Sequence, residues 1–316
     1  MTIPEITVVM PAYNHELYVG EAIESVLNQT FTDFEFIIIN DGSKDATESV
    51  IKKYKDPRIK YYSQENSGSH ATINRGVAMA AGNYVSIINS DDAYNVKRLE
   101  RMLSVAKEGG YIFQITDLTL IDGHSNPITD PNHYWIKWYT KLKNGYLQTS
   151  SPLKAILGGN YTISTSNFFF KSGLTNDIGP FNNLRYILDY DFAVRAMKYN
   201  EKGCNFLIGE KLLSYRLHGS NTILNDPISA HVECYELITD TIKYIYGPDI
   251  YPAVDHLKEM MQAIKAIYDY YGAALPYGAA LPVSSKTRSF LKKYIKEGTL
   301  THRMAKGFLN WIHKTT

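Results

Sequence analysis

The sequence is poor in the features that mark secreted and membrane-spanning proteins. Its 316 residues include only two cysteines, Cys204 and Cys234, too few for a disulfide framework and in no metal-binding spacing. No apolar run approaches the roughly 18 residues of a membrane-spanning helix. The first residues lack the basic flank and apolar core of a secretory signal. These absences predict a protein of a reducing compartment, cytoplasmic or bound peripherally at the inner face of the cell membrane.

Two common kinds of phosphate-binding loop are also missing. The turn after the first predicted strand reads Pro-Ala-Tyr-Asn, without the glycine-rich sequence that a nicotinamide-dependent dehydrogenase needs there. No Walker-type sequence occurs anywhere in the chain. The sequence therefore argues against both of these nucleotide-binding classes.

Net charge is low, at +1, but it is unevenly distributed. From Lys286 to the end the chain has eight basic residues and one acidic residue, so the body before it is acidic. An acidic body argues against a nucleic-acid-binding protein. In the basic tail, Met304, Phe308 and Trp311 recur at helical spacing, which is typical either of a helix on an anionic membrane or of a packed terminal helix.

What the sequence does contain is an alternation of short apolar runs with helical patterns. Predicted strands at Ile6–Met10, Phe36–Ile39 and Tyr84–Ile88 are separated by helical repeats such as Val19–Leu27. This alternation predicts an α/β fold with a largely parallel sheet. Further strands are predicted at 59–62, 111–116, 164–170, 205–208 and 212–217, and further helices near 50–54, 69–81 and 189–199. After Asp226 the pattern is helical, with a Gly- and Pro-containing linker at 272–282.

Two carboxylates directly follow a predicted central strand. The strand Tyr84–Ile88 runs into Asn89-Ser90-Asp91-Asp92, and ligands of open α/β sheets bind at the carboxyl ends of such strands. One or two carboxylates suit Mg²⁺ or Mn²⁺, since the other coordination positions remain for water and phosphate. An Asp-Asp pair at a strand end is also a common helix N-cap, and the pair alone does not decide between these roles.

The strand-end motifs taken together resemble family 2 glycosyltransferases of the GT-A fold. The resemblance covers the first 95 residues closely and residues 164–222 more loosely. It rests on these motifs: Pro11-Ala12-Tyr13-Asn14, Asn40-Asp41-Gly42-Ser43, Asn74-Arg75-Gly76, Asn89-Ser90-Asp91-Asp92 and Tyr215-Arg216-Leu217-His218. It implies a GT-A catalytic domain over 1–225, with a nucleotide-sugar half at 1–110 and an acceptor half at 111–225. Residues 226–316 would form a helical C-terminal region.

The resemblance also implies roles for individual residues. The nucleotide-sugar donor would contact Pro11, Ala12, Tyr13, Asn14, Asp41, Asn74, Arg75, Gly76, Asp91 and Arg216. A divalent cation, Mn²⁺ or Mg²⁺, would be held by Asp92, Asp91 and His218, with Asp92 as the direct ligand ahead of Asp91. Asn89 departs from the family, because many members have a further Asp there. The other histidines, including His70 and His133, have no comparable sequence context.

The catalytic base of the family corresponds to the segment Leu188-Asp189-Tyr190-Asp191, where Leu188 replaces the usual Glu. Asp189 occupies the base position, and Asp191 is a second candidate because the start of the helix is not fixed by sequence. Asp189 could instead cap that helix.

The resemblance thus implies inverting transfer from a nucleoside-diphosphate sugar, with a UDP-sugar as the expected donor, to a hydroxyl of a glycan or lipid-linked glycan in cell-surface polysaccharide synthesis. The alternative is a non-catalytic scaffold of the same fold that binds carbohydrate or nucleotide, because fold does not fix function. Neither the sugar, the acceptor nor the oligomeric state follows from the sequence.

Overall fold

A computed structural model describes residues 3–149, 151–219 and 227–247, with side chains of the last range described from 233. The strands are β1 (Ile6–Ala12), β2 (Phe34–Asp41), β3 (Ile59–Gln64), β4 (Tyr84–Ile87), β5 (Ala93–Tyr94), β6 (Phe113–Ile121), β7 (Phe169–Lys171) and β8 (Cys204–Arg216). The helices are α1 (Val19–Leu27), α2 (Thr47–Ile51), α3 (Ser69–Ala78), α4 (Arg98–Gly109), α5 (Tyr134–Leu147), α6 (Pro152–Ile156), α7 (Leu174–Ile178), α8 (Leu188–Asn200) and α9 (Pro227–Tyr246). Short 3₁₀ helices occur at Thr165–Asn167 and Glu201–Gly203.

The strands form one mixed sheet in the order β3-β2-β1-β4-β7-β6-β8-β5. The first four strands of this order are parallel, β7 runs antiparallel to β4 and β6, and β6 pairs with β8 in parallel. Strands β1, β4, β6 and β8 therefore point the same way, and their carboxyl ends lie at one edge. The α/β prediction is confirmed, and this edge brings distant chain segments together.

The core of the first half is built from strands that are buried along their whole length. Every residue of β2 is buried, as expected for the apolar run Phe36–Ile39 of a strand covered on both faces. Helix α3 lies directly on this sheet, because a Cβ added at Gly76 would stand 2.4 Å from a methyl carbon of Val9. A glycine at this position therefore lets the helix approach β1 closely.

The predicted strand at 164–170 is only partly correct. Its first half is the 3₁₀ turn, in which the Ser164 hydroxyl accepts a hydrogen bond from the Ser166 amide, and only Phe169–Lys171 pairs as β7. Serine and asparagine hydroxyl and amide groups favour such local turns over a ladder. The two strands predicted at 205–208 and 212–217 are one strand, β8, whose register to β6 shifts beside Gly209. There the Gly209 amide donates to Asp117 Oδ2 at 3.2 Å.

The described residues divide into two compact units. The eight strands belong to the first unit with helices α1 to α5, α7 and α8, and the second unit contains α9 and the segment Lys154–Asn160, which includes the end of α6. The division at 225 predicted from sequence stays a prediction. The linker at 272–282 and the basic tail from Lys286 lie outside the described residues. Within the part of the chain that is described, no helix combines the length and apolarity needed to cross a bilayer.

Candidate active site

The site lies where the carboxyl ends of β1, β4 and β8 meet. The turn after β1 supplies His15, the turn after β4 supplies Asp91 and Asp92, and the end of β8 supplies Arg216 and His218. All of these segments belong to the first compact unit. Polar side chains collect here because backbone groups at strand ends leave the ladder and can be paired by side chains or ligands.

Asp91 is the acid that faces the two histidines of this edge. Its Oδ2 is 2.9 Å from His218 Nε2 and 3.8 Å from His15 Nε2, and 14% of the side chain is exposed. Burial by itself would raise the pKa of Asp91, but the hydrogen bond from His218 and the charges of both histidines outweigh it and lower that pKa. Asp91 is thus held as a carboxylate beside two nitrogen donors.

Asp92 is turned away from this cluster into the protein. Its Oδ2 accepts a hydrogen bond from Ser166 Oγ at 2.5 Å, and its Oδ1 accepts one from the Arg216 amide at 2.9 Å. Burial, and then the negative charge of Asp91, raise the pKa of Asp92 well above its usual range. With both oxygens paired internally, Asp92 is placed less well than Asp91 to be the direct metal ligand, the reverse of the order expected from sequence.

His15, Asp91 and His218 have the ligand types and spacing of a divalent metal site. One ligand atom from each residue lies within 4.8 Å of the others, and the three side chains are partly buried. Imidazole and carboxylate are both common ligands of divalent ions. Sequence reasoning missed His15. Its position could have indicated it, because His15 directly follows the Pro11–Asn14 motif, which the resemblance already assigns to the nucleotide-sugar donor.

The guanidinium of Arg216 is held by the protein. It is buried, with Nε donating to the backbone oxygen of Asp91 at 2.7 Å and Nη2 donating to Glu21 Oε2 at 2.6 Å. Nη1 donates to Ser125 Oγ at 2.9 Å, and the guanidinium carbon lies 4.8 Å from the Tyr18 ring centroid. These contacts give Arg216 a positioning role for the Asp91 loop. The donor contact expected from sequence would have to compete with them.

Asp41 closes the end of β2 and organises the turn after β3. Its Oδ1 accepts hydrogen bonds from Gln64 Nε2 at 2.8 Å and from the Ser67 amide at 2.9 Å, and its Oδ2 accepts from the Gly68 amide at 3.0 Å. Only 3% of the residue is exposed. Arg75 extends the same network, because its Nη1 donates to Gln64 Oε1 at 2.7 Å.

The first two strand-end motifs are joined to each other. Pro11 and Ala12 are the last residues of β1, and the exposed Tyr13 follows. Asn14 has a left-handed backbone, with φ of +53°. Its amide donates to Ser43 Oγ at 3.1 Å, and its Oδ1 accepts from the Lys44 amide at 2.8 Å. The turns that follow β1 and β2 therefore form one surface.

Asn74 joins the first half of the chain to the segment before α8. Its Nδ2 donates to the Phe181 carbonyl and its Oδ1 accepts from the Phe181 amide, both at 2.8 Å. This pair of hydrogen bonds fixes the loop that leads to Asp189 and Asp191. Asn74 thus positions backbone, while Gly76 packs on β1.

The two acids of α8 have different surroundings. Asp191 Oδ2 accepts hydrogen bonds from Arg195 Nη2 at 2.7 Å, Arg195 Nε at 2.9 Å and Asn182 Nδ2 at 2.9 Å. Asp189 lies near Tyr215: burial raises the pKa of this phenol well above its usual range, and the negative charges of Asp92, Asp91 and Asp189 add to that rise. The structure thus pairs Asp191 within the loop and helix, whereas the charge of Asp189 acts on the same phenol as those of Asp91 and Asp92.

Asn89 makes three contacts to the 3₁₀ turn. Its backbone N–H donates to Ser166 Oγ at 2.8 Å. Its side-chain Nδ2 donates to Ser164 Oγ at 3.0 Å, and its side-chain Oδ1 accepts from Thr165 Oγ1 at 3.0 Å. An asparagine both donates and accepts here, which an ionised aspartate could not do. Asn89 therefore fixes Ser166, which in turn holds Asp92.

Aromatic side chains border the site on the side of α5. The ring centroids of Trp135 and Tyr215 are 6.0 Å apart, and those of Trp135 and Trp138 are 5.1 Å apart at 89°. Both tryptophans are half-buried, and 72% of Tyr134 is exposed. Flat apolar rings with polar tips suit contact with sugar rings as well as packing.

Comparison with known sequences identifies a shared family. Residues 7–170 match Glycosyl transferase family 2. The match contains Asp41, Asp91 and Asp92 and ends before Asp189 and His218. An uncharacterized glycosyltransferase of Rickettsia typhi is 25% identical over 287 residues, which are 90% of this chain and 86% of that protein. The putative teichuronic acid biosynthesis glycosyltransferase TuaG of Bacillus subtilis is 33% identical over 128 residues, 40% of this chain and 51% of that protein.

Solved structures share the fold. S. aureus TarS residues 1–349 in complex with UDP-GlcNAc aligns with a TM-score of 0.60 and 19% identity, over 90% of this chain and 77% of that one. The mannosyltransferase PcManGT of Pyrobaculum calidifontis, in complex with GDP-Man and Mn²⁺, aligns with a TM-score of 0.55 and 12% identity, over 98% and 84%. The expected GT-A fold is confirmed.

Proposed function

The chain belongs to glycosyl transferase family 2 and is a glycosyltransferase, and we propose that it transfers a sugar, with inversion, from a UDP-sugar to a hydroxyl of a glycan or lipid-linked glycan. The observation that carries this proposal is the meeting of Asp91, His15 and His218 at one sheet edge; Asp189, buried in the first turn of α8, is contributed by a separate part of the chain. Donor activation and acceptor deprotonation need groups on different sides of the reacting carbon.

The nucleotide would be bound by the surface formed by the turns after β1 and β2. Asp41 stands at its floor, and a carboxylate accepting from a base N–H makes a charge-assisted hydrogen bond. Pro11, Ala12, Tyr13 and Asn14 would border the base, and Asn74, Arg75 and Gly76 would shape the neighbouring wall. In this assignment the carboxylate already orders the turn at Ser67 and Gly68, so the pocket is formed before the nucleotide arrives.

The residues present fit a divalent cation, Mn²⁺ or Mg²⁺, as cofactor. Asp91 and His218 would hold it directly, and Asp92 would hold the loop through Ser166 and the Arg216 amide. Such an ion stabilises the negative charge that develops on a leaving diphosphate. Arg216 Nε would hold the Asp91 carbonyl by its hydrogen bond, so the Asp91 carboxylate would keep its orientation while a ligand binds.

The acceptor proton would be taken by Asp189. Its place at the start of α8 puts it near the positive end of the helix dipole, which favours the carboxylate. Tyr215, whose ring centroid lies 6.0 Å from that of Trp135, would support an acceptor sugar ring together with that tryptophan. The likeness to a putative teichuronic acid biosynthesis glycosyltransferase supports an acceptor in cell-surface polysaccharide synthesis.

The test is donor hydrolysis without acceptor. The full chain, stripped with EDTA, is incubated with UDP-glucose, UDP-N-acetylglucosamine, UDP-galactose or GDP-mannose, with and without Mn²⁺, and released diphosphate is measured. We expect release from a UDP-sugar only with metal, and none from Asp91→Asn. Release from GDP-mannose alone would overturn the uridine assignment. If UDP binds and none of these donors is cleaved, even with oligosaccharide acceptors, the proposed transfer from a UDP-sugar is wrong.

We also propose that the basic tail from Lys286 binds anionic membranes and keeps the enzyme peripheral at the inner face of the cell membrane. Its lysines and arginines would meet lipid headgroups, while Phe308 and Trp311 enter the interface. Flotation with phosphatidylglycerol vesicles compares the full chain with one that ends before Lys286. Equal recovery of the two chains would contradict this proposal.

A further inference from the structure

His15, which sequence reasoning missed, is oriented towards the other two candidate metal ligands, Asp91 and His218. The backbone of His15 is fixed on both sides, because its amide donates to Thr47 Oγ1 at 2.8 Å and its carbonyl accepts from the Val19 amide at 2.9 Å. Its imidazole is fixed too, with Nδ1 at 2.8 Å from Ser90 Oγ. The other ring nitrogen, Nε2, is the one that lies 3.8 Å from Asp91.

This arrangement is typical of metal-binding histidines. Such a residue uses one ring nitrogen for the ion, while the other is hydrogen-bonded to a neighbouring group that fixes the tautomer and the ring orientation. Ser90 occupies that second position for His15. The ring of His218 is perpendicular to that of His15, with centroids 5.8 Å apart and an interplanar angle of 83°. Both rings thus present an edge to Asp91 and not a face.

The spacing of the three ligand atoms suits one ion. Two ligand atoms that each lie about 2.1 Å from a metal are at most about 4.2 Å apart. The ligand atoms of His15, Asp91 and His218 lie within 4.8 Å of one another. Shifts of the side-chain atoms by a few tenths of an ångström are enough to bring the three ligand atoms to these separations.

We propose that His15 is a third protein ligand of the donor-site cation, and that the resulting set of two imidazoles and one carboxylate selects transition ions over Mg²⁺. This inference rests on the proposed metal site of the glycosyltransferase. Mg²⁺ prefers oxygen ligands and keeps several waters, whereas imidazole suits first-row transition ions. Affinity should therefore rise from Mg²⁺ to Mn²⁺ to Co²⁺, following the general order of divalent metals.

The experiment measures metal binding directly, by calorimetry on the full chain without nucleotide. Mg²⁺, Mn²⁺ and Co²⁺ are titrated into the unmodified chain, His15→Ala, His15→Asn and His124→Ala. His15→Asn keeps an amide that can contact Ser90 but lacks the Nε2 ligand. His124 is exposed and stands outside the cluster, so His124→Ala is the matched control. The visible absorption of bound Co²⁺ reports the number of nitrogen ligands independently of enzymatic activity.

We expect both His15 variants to bind Mn²⁺ and Co²⁺ at least about tenfold more weakly, with Mg²⁺ affinity changed less than about threefold and a changed Co²⁺ spectrum. His124→Ala should match the unmodified chain. If His15→Asn folds normally and keeps its Co²⁺ spectrum and affinity, His15 is not a ligand. If Asp91→Asn and His218→Ala also leave Co²⁺ binding unchanged, the whole proposed metal site fails, which is a separate outcome.

Discussion

Two pairs of acidic residues, one in each half of the first unit, divide their roles in the same way. Asp91 and Asp92 follow β4, and Asp189 and Asp191 begin α8. In each pair one carboxylate is hydrogen-bonded to groups that fix the surrounding loop or helix. Asp92 is held by Ser166 and the Arg216 amide, and Asp191 is held by Arg195 and Asn182. Asp91 faces His218 and His15 at the edge of the sheet, and Asp189 is the buried acid proposed as the base.

Local backbone geometry explains this division. Residues two apart on an α-helix are separated by about 200° around the axis, so Asp189 and Asp191 point to opposite sides of α8. Asp91 and Asp92 are adjacent in the turn after a strand, and one faces His218 while the other faces the 3₁₀ turn. The two acids of such a motif therefore differ in role: one can contact a ligand, and the other stabilises the segment on which the first acid lies.

Removal of the metal should have the largest effect, because it acts on the edge that Asp91 faces. Transfer should fall to background in EDTA and return with Mn²⁺, since the leaving diphosphate then loses its charge stabilisation. Asp91→Asn should not be rescued by Mn²⁺ at the concentration that restores the unmodified chain. Released UDP is the measurement. Full transfer in chelator would break the assignment of Asp91 to a metal.

Asp189→Asn should have the next largest effect. Asparagine keeps the size and a hydrogen-bonding oxygen but cannot take a proton, and general-base catalysis is worth about 10²–10⁴-fold in rate. Transfer should fall by that factor while UDP affinity, measured by calorimetry, stays unchanged.

The matched variant is Asp191→Asn. It weakens the contacts to Arg195 and should lower the free energy of unfolding by about 2 kcal/mol, the typical worth of a hydrogen bond to a charged group. The rate of transfer per folded molecule should stay within about threefold of that of the unmodified chain, because Asp191 points to the side of α8 opposite to Asp189. If the two variants exchange these results, the base is Asp191. If both remain fully active, neither is the base.

Asp41→Asn should weaken nucleotide binding and also loosen the turn at Ser67 and Gly68, because one acceptor oxygen becomes an NH2 group that cannot accept from a backbone amide. A hydrogen bond to a charged group contributes about 1.5–3 kcal/mol, so UDP affinity should fall by about 10–100-fold. The matched control is Ser67→Ala, because Asp41 accepts from the Ser67 amide and not from its hydroxyl. Ser67→Ala should bind UDP normally. Unchanged UDP affinity in Asp41→Asn would remove this carboxylate from the base pocket.

Much of the first half could be predicted from sequence because its strands are local apolar runs. A parallel strand buried on both faces, such as Phe36–Ile39, is recognisable without knowing its neighbours. The strand-end motifs follow directly, so the positions of Asp41 and Asp91 at one edge were predictable from alternation alone. The family match over residues 7–170 covers this same half.

The remaining contacts depend on chain segments far apart in sequence. His15 meets Ser90 across 75 residues, and Arg216 meets Glu21 across 195. Hydrophobic periodicity contains no information about such pairs. The turn at Thr165–Asn167 was mistaken for a strand because its side-chain hydrogen bonds to the backbone are invisible to an alternation pattern.

Asp92→Asn should have the smallest effect, and it tests which acid of the first pair meets the metal. An asparagine oxygen can still accept from the Arg216 amide, and its nitrogen can donate to Ser166 Oγ. One hydrogen bond is reoriented and none is lost, so the expected cost is about 1 kcal/mol of stability.

The contact of Asp91 with His218 is unchanged in Asp92→Asn, so the Mn²⁺ affinity should stay within about threefold of that of the unmodified chain. The rate of transfer should stay within about tenfold, which corresponds to a rise of at most about 1.4 kcal/mol in the activation free energy. Ser166→Ala is the companion variant, since it removes the hydroxyl from the other side of the same contact. Both variants should have similar Mn²⁺ affinity by calorimetry. If Asp92→Asn loses Mn²⁺ binding as completely as Asp91→Asn while Ser166→Ala keeps it, Asp92 is itself a ligand, as the sequence motif alone had implied.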